Sequence, residues 1–443
     1  MQRELPNGYD ASVQVVDLHT AAVIMEKSPD QPLVPASTMK IVTSAAAISS
    51  LKPDFTFVTE VLVETPKEGS TQRMFLRGTG DPRLVTERLF ALTRKVVDTG
   101  LVHVAGDIVV DDSYFAPDAP LDEADKLGVR SYHAPYGALS LNFNSMELWI
   151  VPAHRPGMKA NVFLEPESDY AEVRSDVMTV KGDKPAQVTI TKSTISDKPE
   201  RFSVSGEIGV SAPSKRRYVN VANPALYTGE VFRRFLKQAG VEVRGRVVRG
   251  TVTDAANVIE SFPSEPLAIN VYWLNKFSNN FIAEQIAMGL GAAVHGPPGT
   301  REKGLDAIRR YLRHCGVDER LFVLSESSGL SRSNRLSASA LVKVLMAVSR
   351  DFSCSYEFMA SLGIAGIDGT LKEKFLDSGL ERRIRAKTGT LRGVNALAGY
   401  GILPEGNIAA FAVIVNSTKP NAGIVDYADR IARGIFEPST KKR

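Results

Sequence analysis

Val34-Pro35-Ala36-Ser37-Thr38-Met39-Lys40-Ile41-Val42 opens an alanine-rich run that ends near Ser50, and the run reads as a helix. Proline suits a helix start, where its missing N–H costs nothing. Met39, Val42, Ala46 and Leu51 recur near helical spacing, so one face can be buried. Ser37 and Lys40 stand three apart and would project side by side from the first turn. That turn also carries unpaired N–H groups and the positive end of the helix dipole. A serine hydroxyl is a poor nucleophile until a neighbour takes its proton. A lysine amine becomes a base when burial or nearby positive charge lowers its pKa. The helix N-terminus supplies part of that charge and can bind an oxyanion. A lone Ser-x-x-Lys reads more simply as a helix cap beside a solvated lysine. Ser49-Ser50-Leu51-Lys52 fits the same pattern at the other end of the run, where the dipole has the wrong sign. The first copy therefore needs support from elsewhere in the chain.

At 443 residues the chain exceeds one ordinary domain. A hydrophobic share of 43% with 23% charged residues is that of a soluble globular protein. No apolar run reaches the roughly 18 residues of a membrane span. The formal charge of +4 is spread out, which gives no case for nucleic acid and does not oppose an anionic substrate or polymer. Cys315 and Cys354 fit no metal or redox spacing. They read as free core thiols or as one disulfide, with free thiols preferred. Met1 to Gly8 holds no apolar signal region, so the chain reads either as cytoplasmic or as a mature form whose signal was removed.

Ala11 to Asp17 alternates, a polar turn follows, and Ala21 to Glu26 completes a hairpin leading to the first helix. From about Phe55 to Val110 the chain turns to short β-type runs, interrupted by one helix over 86–98. Asp118 to Ser131 is acidic and reads as a surface loop. Residues 161–212 resemble a small β module, 223–240 is a helix, and a further β segment runs over 241–252. From Pro266 helical periodicity returns on either side of Ser278-Asn279-Asn280, and helices over 301–314 and 338–350 follow. The end is β, then α: strands over 383–388, 396–402 and 408–415, a hairpin at Pro404-Glu405-Gly406-Asn407, and a closing amphipathic helix over 424–436. The simplest architecture joins the two ends into one α/β domain that carries a long insertion.

Three signals now combine: Ser37-Thr38-Met39-Lys40 on a helix, Ser278-Asn279-Asn280 at a break between helices, and Lys387-Thr388-Gly389-Thr390 on a strand. Each is weak alone, and Ser140-Leu141-Asn142 also matches the second pattern. Their order and their placement on helix, loop and strand make the set specific for serine–lysine acyl transfer. No Gly-x-Ser-x-Gly, His-Glu-x-x-His or P-loop competes, and the histidines are scattered without motif context. No metal or cofactor is expected.

The sequence resembles the D-Ala-D-Ala carboxypeptidases/endopeptidases of the class C, low-molecular-mass penicillin-binding proteins. Further shared stretches are Gly80-Asp81-Pro82-Arg83-Leu84, Val110-Asp111-Asp112-Ser113-Tyr114-Phe115, Asn223-Pro224-Ala225-Leu226-Tyr227, Ser328-Gly329-Leu330-Ser331-Arg332 and Gly366-Ile367-Asp368-Gly369-Thr370-Leu371. The resemblance implies an α/β (α+β) catalytic domain of the penicillin-binding and serine β-lactamase type with two inserted β-rich domains. These would be a catalytic domain of 1–65 and 263–443, a second domain of 66–150 and 216–262, and a nested third domain of 151–215.

The same resemblance implies the roles. Ser37 would be the acylated nucleophile and Lys40 its general base. Ser278 would relay a proton towards the leaving group, and Asn280 would bond the substrate amide. Lys387 and Thr388 would hold the terminal carboxylate, with Gly389 in the same wall. The N–H groups of Ser37 and Thr390 would form the oxyanion hole. Arg332 would be a substrate-side cation, against a plain surface salt bridge, and Tyr132 would contribute from the second domain. Two departures stand near the expected cleft and bear on substrate side-chain preference: Glu326-Ser327 where the family usually shows Asp-Gly, and Arg392 where a neutral residue is often found.

The expected activity is a serine D-Ala-D-Ala carboxypeptidase, and possibly a D,D-endopeptidase, acting on peptidoglycan peptides and inhibited by β-lactams. A serine β-lactamase is the nearest alternative, but Ser37 and Ser278 stand 241 positions apart, too far for a compact one. A non-hydrolytic β-lactam or cell-wall-binding sensor is the other alternative. The implied location is periplasmic or otherwise extracytoplasmic, with peripheral association with the cell envelope.

Overall fold

The computed structural model describes residues 8–117, 129, 134–194, 199–419 and 426–437. The chain divides into two compact units, Met1–Thr56 with Glu265–Arg443, and Phe57–Ser264.

The first unit is built on a six-stranded sheet. Its strands are β1 (Tyr9–Asp17), β2 (Val23–Lys27), β3 (Gly363–Ile364), β4 (Ile384–Leu391), β5 (Val394–Ile402) and β6 (Ile408–Ser417). Their order is β3-β4-β5-β6-β1-β2, so the first strand of the chain pairs with the last, with Tyr9 opposite Ser417. Side chains alternate across a strand, and here both faces are covered. Val13, Leu397 and Phe411 share a cluster with Ala428, Ala432 and Phe436 of the closing helix Tyr427–Phe436. Their neighbours point the other way. The Ser12 hydroxyl accepts from the Ala338 N–H, and the Tyr400 hydroxyl donates to the Leu345 carbonyl at 2.8 Å. The hairpin at 404–407 closes through a bond from the Leu403 N–H to the Asn407 carbonyl.

The first unit also holds the helices α1 (Met39–Leu51), α2 (Leu267–Phe277), α3 (Asn280–His295), α4 (Arg301–His314) and α5 (Ala338–Arg350). α1 packs against all four of the others. Every residue from Met39 to Ile48 is buried, which suits its run of Ala45, Ala46 and Ala47. Lys40 is the charged exception inside it. Cys315 and Cys354 are free thiols.

The second unit has a five-stranded sheet in the order 247–249, 108–111, 73–78, 58–64, 257–263. Helices Thr86–Asp98 and Pro224–Gln238 contribute to its core. In the latter Pro224 fills the first turn, and the Asn223 side chain caps the Leu226 N–H at 3.2 Å. A separate three-stranded sheet of 171–180, 200–209 and 187–193 lies within the stretch read as a β module over 161–212, whereas strand 161–165 pairs with 145–151 in another sheet that also holds 215–220. The acidic loop at 118–131 falls, apart from Val129, outside the described residues. Among the described residues no helix is long and apolar enough to cross a membrane, and no group of His, Cys, Asp and Glu side chains could hold a metal ion.

Candidate active site

The run from Pro35 does not enter an α-helix directly. Ala36–Thr38 forms one 3-10 turn, and α1 begins at Met39. Ala36 sits at φ 46°, a left-handed conformation that costs a residue with a Cβ on the order of 1 kcal/mol or more. Neither end of this turn shows a side-chain cap, so Ser37 is not the helix cap that a lone motif suggests. Two glycines explain how the turn is held. A Cβ on Gly389 would lie 2.7 Å from the Pro35 carbonyl oxygen and 3.2 Å from the Ser37 nitrogen. A Cβ on Gly329, at φ 81°, would lie 2.0 Å from the Ala36 carbonyl oxygen. Strand β4 and the 327–331 loop therefore close on the serine turn at distances that only glycine permits.

Lys40 is fully buried, and its Nζ donates to three oxygens: Ser37 Oγ at 3.2 Å, Asn280 Oδ1 at 2.7 Å and the Ser328 carbonyl at 2.5 Å. Burial pulls its pKa down from 10.5 to about 8, against the charges of Glu326 and Glu284, which raise it. Lys387 is also fully buried and donates to the Thr388 carbonyl at 2.8 Å. Burial, and then the charge of Lys40, holds its pKa well below the ordinary lysine value.

The Ser-Asn-Asn stretch divides its labour. Ser278 ends α2 in the left-handed region at φ 57°, which turns the chain sharply into α3. The Asn279 side chain caps the Ile282 N–H at 3.1 Å, leaving Asn280 to meet Lys40. Thr388 bonds Thr370 between their hydroxyls at 2.8 Å, and Thr390 lies exposed on the same side of β4. Strand β4 pairs with β5 along its length but with β3 only at Arg385 and Ala386. Among the described residues no strand covers the other edge from Lys387 to Leu391.

Arg332 is exposed and donates to the Arg392 carbonyl at 2.9 Å, which sets it beside the turn that follows β4. Tyr132 lies outside the described residues. Glu326 does not face a cleft. It is fully buried, and its carboxylate accepts from the N–H groups of Ser328 and Gly329 at 2.8 and 2.6 Å and from the Asn334 amide at 2.5 Å. The look-alike motifs have other employment. Ser140 donates to the Gly137 carbonyl at 2.7 Å, and Asn142 bonds Thr86.

Sequence reasoning does not single out Thr370, Glu284 or the Ser328 carbonyl. The shared stretches 366–371 and 328–332 hold two of them and are the available signal, whereas Glu284 lies one helical turn beyond Asn280 with no motif of its own.

The chain belongs to the D-Ala-D-Ala carboxypeptidase 3 (S13) family, which matches residues 2–433. It is thus a serine-type D-Ala-D-Ala carboxypeptidase by class. A D-alanyl-D-alanine carboxypeptidase from Actinomadura sp. is 32% identical over 432 residues, covering 92% of this chain and 78% of the relative. The crystal structure of penicillin binding protein 4 from Haemophilus influenzae shares the fold with a TM-score of 0.80 at 23% identity, covering 97% of this chain and 95% of that one. A second structure of that protein, in complex with a β-lactam, gives a TM-score of 0.77 at 22% identity, with 97% and 95% covered.

Proposed function

We propose that Ser37 is the acylated nucleophile and Lys40 the base that activates it. The carrying observation is the three-way contact of the Lys40 Nζ. A neutral amine has two N–H bonds and one lone pair. With Asn280 Oδ1 and the Ser328 carbonyl taking the two N–H bonds, the lone pair is left facing Ser37 Oγ at 3.2 Å. The Ser37 proton then passes to Lys40 as Oγ bonds the carbonyl carbon of the penultimate D-Ala. The terminal D-Ala leaves as an amine after gaining a proton through Ser278, and water releases the peptide in a second step.

The substrate chain lies along the open edge of β4, where main-chain groups of Lys387 to Leu391 can pair with it. The Lys387 amine and the hydroxyls of Thr388 and Thr390 face its terminal carboxylate, and the N–H groups of Ser37 and Thr390 take the oxyanion. Arg332 is a substrate-side cation, a reading supported by its exposure beside β4. A longer amine-bearing leaving group, as in a cross-linked peptide, uses the same chemistry as D,D-endopeptidase activity. A β-lactam acylates Ser37 and leaves slowly. Peptidoglycan peptides as substrate set the site of action outside the cytoplasmic membrane. The insertion comprises a second domain and a nested third domain around 151–215, a division supported by the separate sheet there.

Intact mass after incubation with a penicillin tests the reading. The wild type is expected to carry one stable adduct, and Ser37→Ala none. An intact penicillin with no adduct on the wild type overturns it, and rapid penicillin destruction makes the protein a β-lactamase.

A further inference from the structure

The mechanism above leaves two buried carboxyl groups unused. Glu284 is 2% exposed and Glu326 is fully buried. They meet through a side-chain hydrogen bond. Two carboxylates in such contact cannot both ionise without strong repulsion, so one holds a proton. The donor census says which. Glu326 accepts from the N–H groups of Ser328 and Gly329, from the Ser328 hydroxyl and from the Asn334 amide. A group surrounded by donors is the carboxylate. Glu284 accepts from the Ser327 N–H at 2.9 Å, and the Arg301 Nε stands 4.0 Å from its carboxyl. Burial, then the charge of Glu326, pushes the Glu284 pKa up to about 8.

Between them these two groups hold the loop that presents its Ser328 carbonyl to Lys40: Ser327 on Glu284, and Ser328 and Gly329 on Glu326. Glu284 lies on the same face of α3 as Asn280, four residues earlier, so one helix supplies both a partner of Lys40 and the buttress of the loop. Thr43, on α1, ties the same loop by donating to the Ser327 carbonyl at 2.7 Å.

We propose that Glu284 and Glu326 form a one-proton carboxyl pair that positions Lys40: ionised Glu326 holds the 327–331 loop with the Ser328 carbonyl on the amine, and protonated Glu284 holds Glu326. Both are positioning residues, and the proposal rests on the reading of Lys40 as the base. The charged groups facing the pair are Lys40 from α1, Arg301 from the start of α4, and the two carboxyl groups themselves. As pH rises, loss of the Glu284 proton sets a second negative charge against Glu326. That charge loosens the loop and strengthens the hold of Lys40 on its own proton, so acylation falls again on the alkaline side.

The test is the rate of acylation by a fluorescent penicillin, followed from weakly acidic to alkaline pH in the wild type, Glu284→Gln, Glu326→Gln and Glu326→Asp. The wild type is expected to give a rise and a fall. Glu284→Gln cannot ionise there and loses the alkaline fall. Glu326→Gln loses about 100-fold at its optimum, as for a misplaced reacting group, and its acid limb moves to lower pH because a negative charge beside Lys40 is gone. Glu326→Asp, which keeps the charge, recovers most of the rate.

A second measurement does not depend on turnover or on a fragile variant. The infrared carbonyl band of a protonated carboxylic acid is expected at neutral pH in the wild type and absent in Glu284→Gln. A Glu326→Gln profile that is only scaled down with unmoved limbs, an alkaline fall that survives in Glu284→Gln, or a missing acid band overturns the inference. A wild type that penicillin does not acylate overturns the reading of the site itself, and the inference falls with it.

Discussion

The two ends of α1 carry the same four-residue pattern and different chemistry. At the start, Lys40 is fully buried and bonds Ser37 at 3.2 Å. At the end, Lys52 caps the helix at φ 76°, its side chain is 50% exposed, and its amine bonds Ser353 at 3.1 Å with Asp351 at 4.0 Å. Ser49 meets the Tyr311 hydroxyl at 3.4 Å and the Cys354 sulfur at 3.7 Å, and no bond joins it to Lys52. The helix is shared, so the serine and the lysine are not what differs. Burial without a carboxylate partner in contact lowers the proton affinity of Lys40, while the half-exposed Lys52 side chain stands in water beside Asp351. Spacing nominates a pair, and surroundings decide whether it reacts.

The largest contrast comes from the hydroxyls. Ser37→Ala is expected to lower D-Ala release by about six orders of magnitude, whereas Ser49→Ala keeps it within about twofold. Comparable losses in both would break the distinction between the two ends. The lysines come next. Lys40→Met is expected to lower acylation by about 100- to 10,000-fold, the usual range for a general base. On the acid side of the wild-type profile the acylation rate rises with pH, because Lys40, its pKa lowered by burial, must lose its proton to act, and Lys52→Met leaves that rise in place. A rise that moves in Lys52→Met and not in Lys40→Met would reverse the assignment.

Gly389→Ala probes the clamp that only the first end has. Its Cβ, 2.7 Å from the Pro35 oxygen, is expected to shift the serine turn and lower acylation about 100-fold. The accompanying loss of about 1–3 kcal/mol in stability is readable by denaturant unfolding. Smallest of all, Lys52→Ala is expected to change stability by no more than about 0.5 kcal/mol in a thermal melt, as an exposed ion pair should.

Much of this arrangement is legible in the sequence, and what is hidden is of one kind. Helical spacing places α1, α2 and α3, and the break at Ser278 shows as a polar interruption between two apolar periodicities. The short runs read as strands over 383–388, 396–402 and 408–415 are β4, β5 and β6, the last two nearly continuous apolar stretches that the sheet buries on both faces. The three motifs bring Ser37, Lys40, Asn280 and Lys387 forward because their side chains carry the chemistry. The third contact of Lys40 is a backbone carbonyl, which every residue has, so nothing in the letters at 328 marks it. Glu326 reads as a cleft residue because it borders a motif, and its burial depends on Glu284 and Asn334, which no local pattern connects to it. The 3-10 turn at 36–38 escapes for a related reason: Pro35 announces a helix start, but the left-handed Ala36 is imposed by β4 and the 327–331 loop pressing from either side.

The partners of Lys40 lie 240 and 288 residues further along the chain, beyond the whole of the Phe57–Ser264 unit. During synthesis α1 emerges early, and the groups that aim its lysine emerge only when most of the chain has been made. Until then Ser37 is an unactivated hydroxyl on a helix whose apolar sides have nothing to pack on. The reactive centre can therefore form only once the chain through Ser328 has been made, after the whole of the Phe57–Ser264 unit with its own core. A ribosome-bound fragment that stops before Ser328 is expected to ignore penicillin, and the released full chain to bind it.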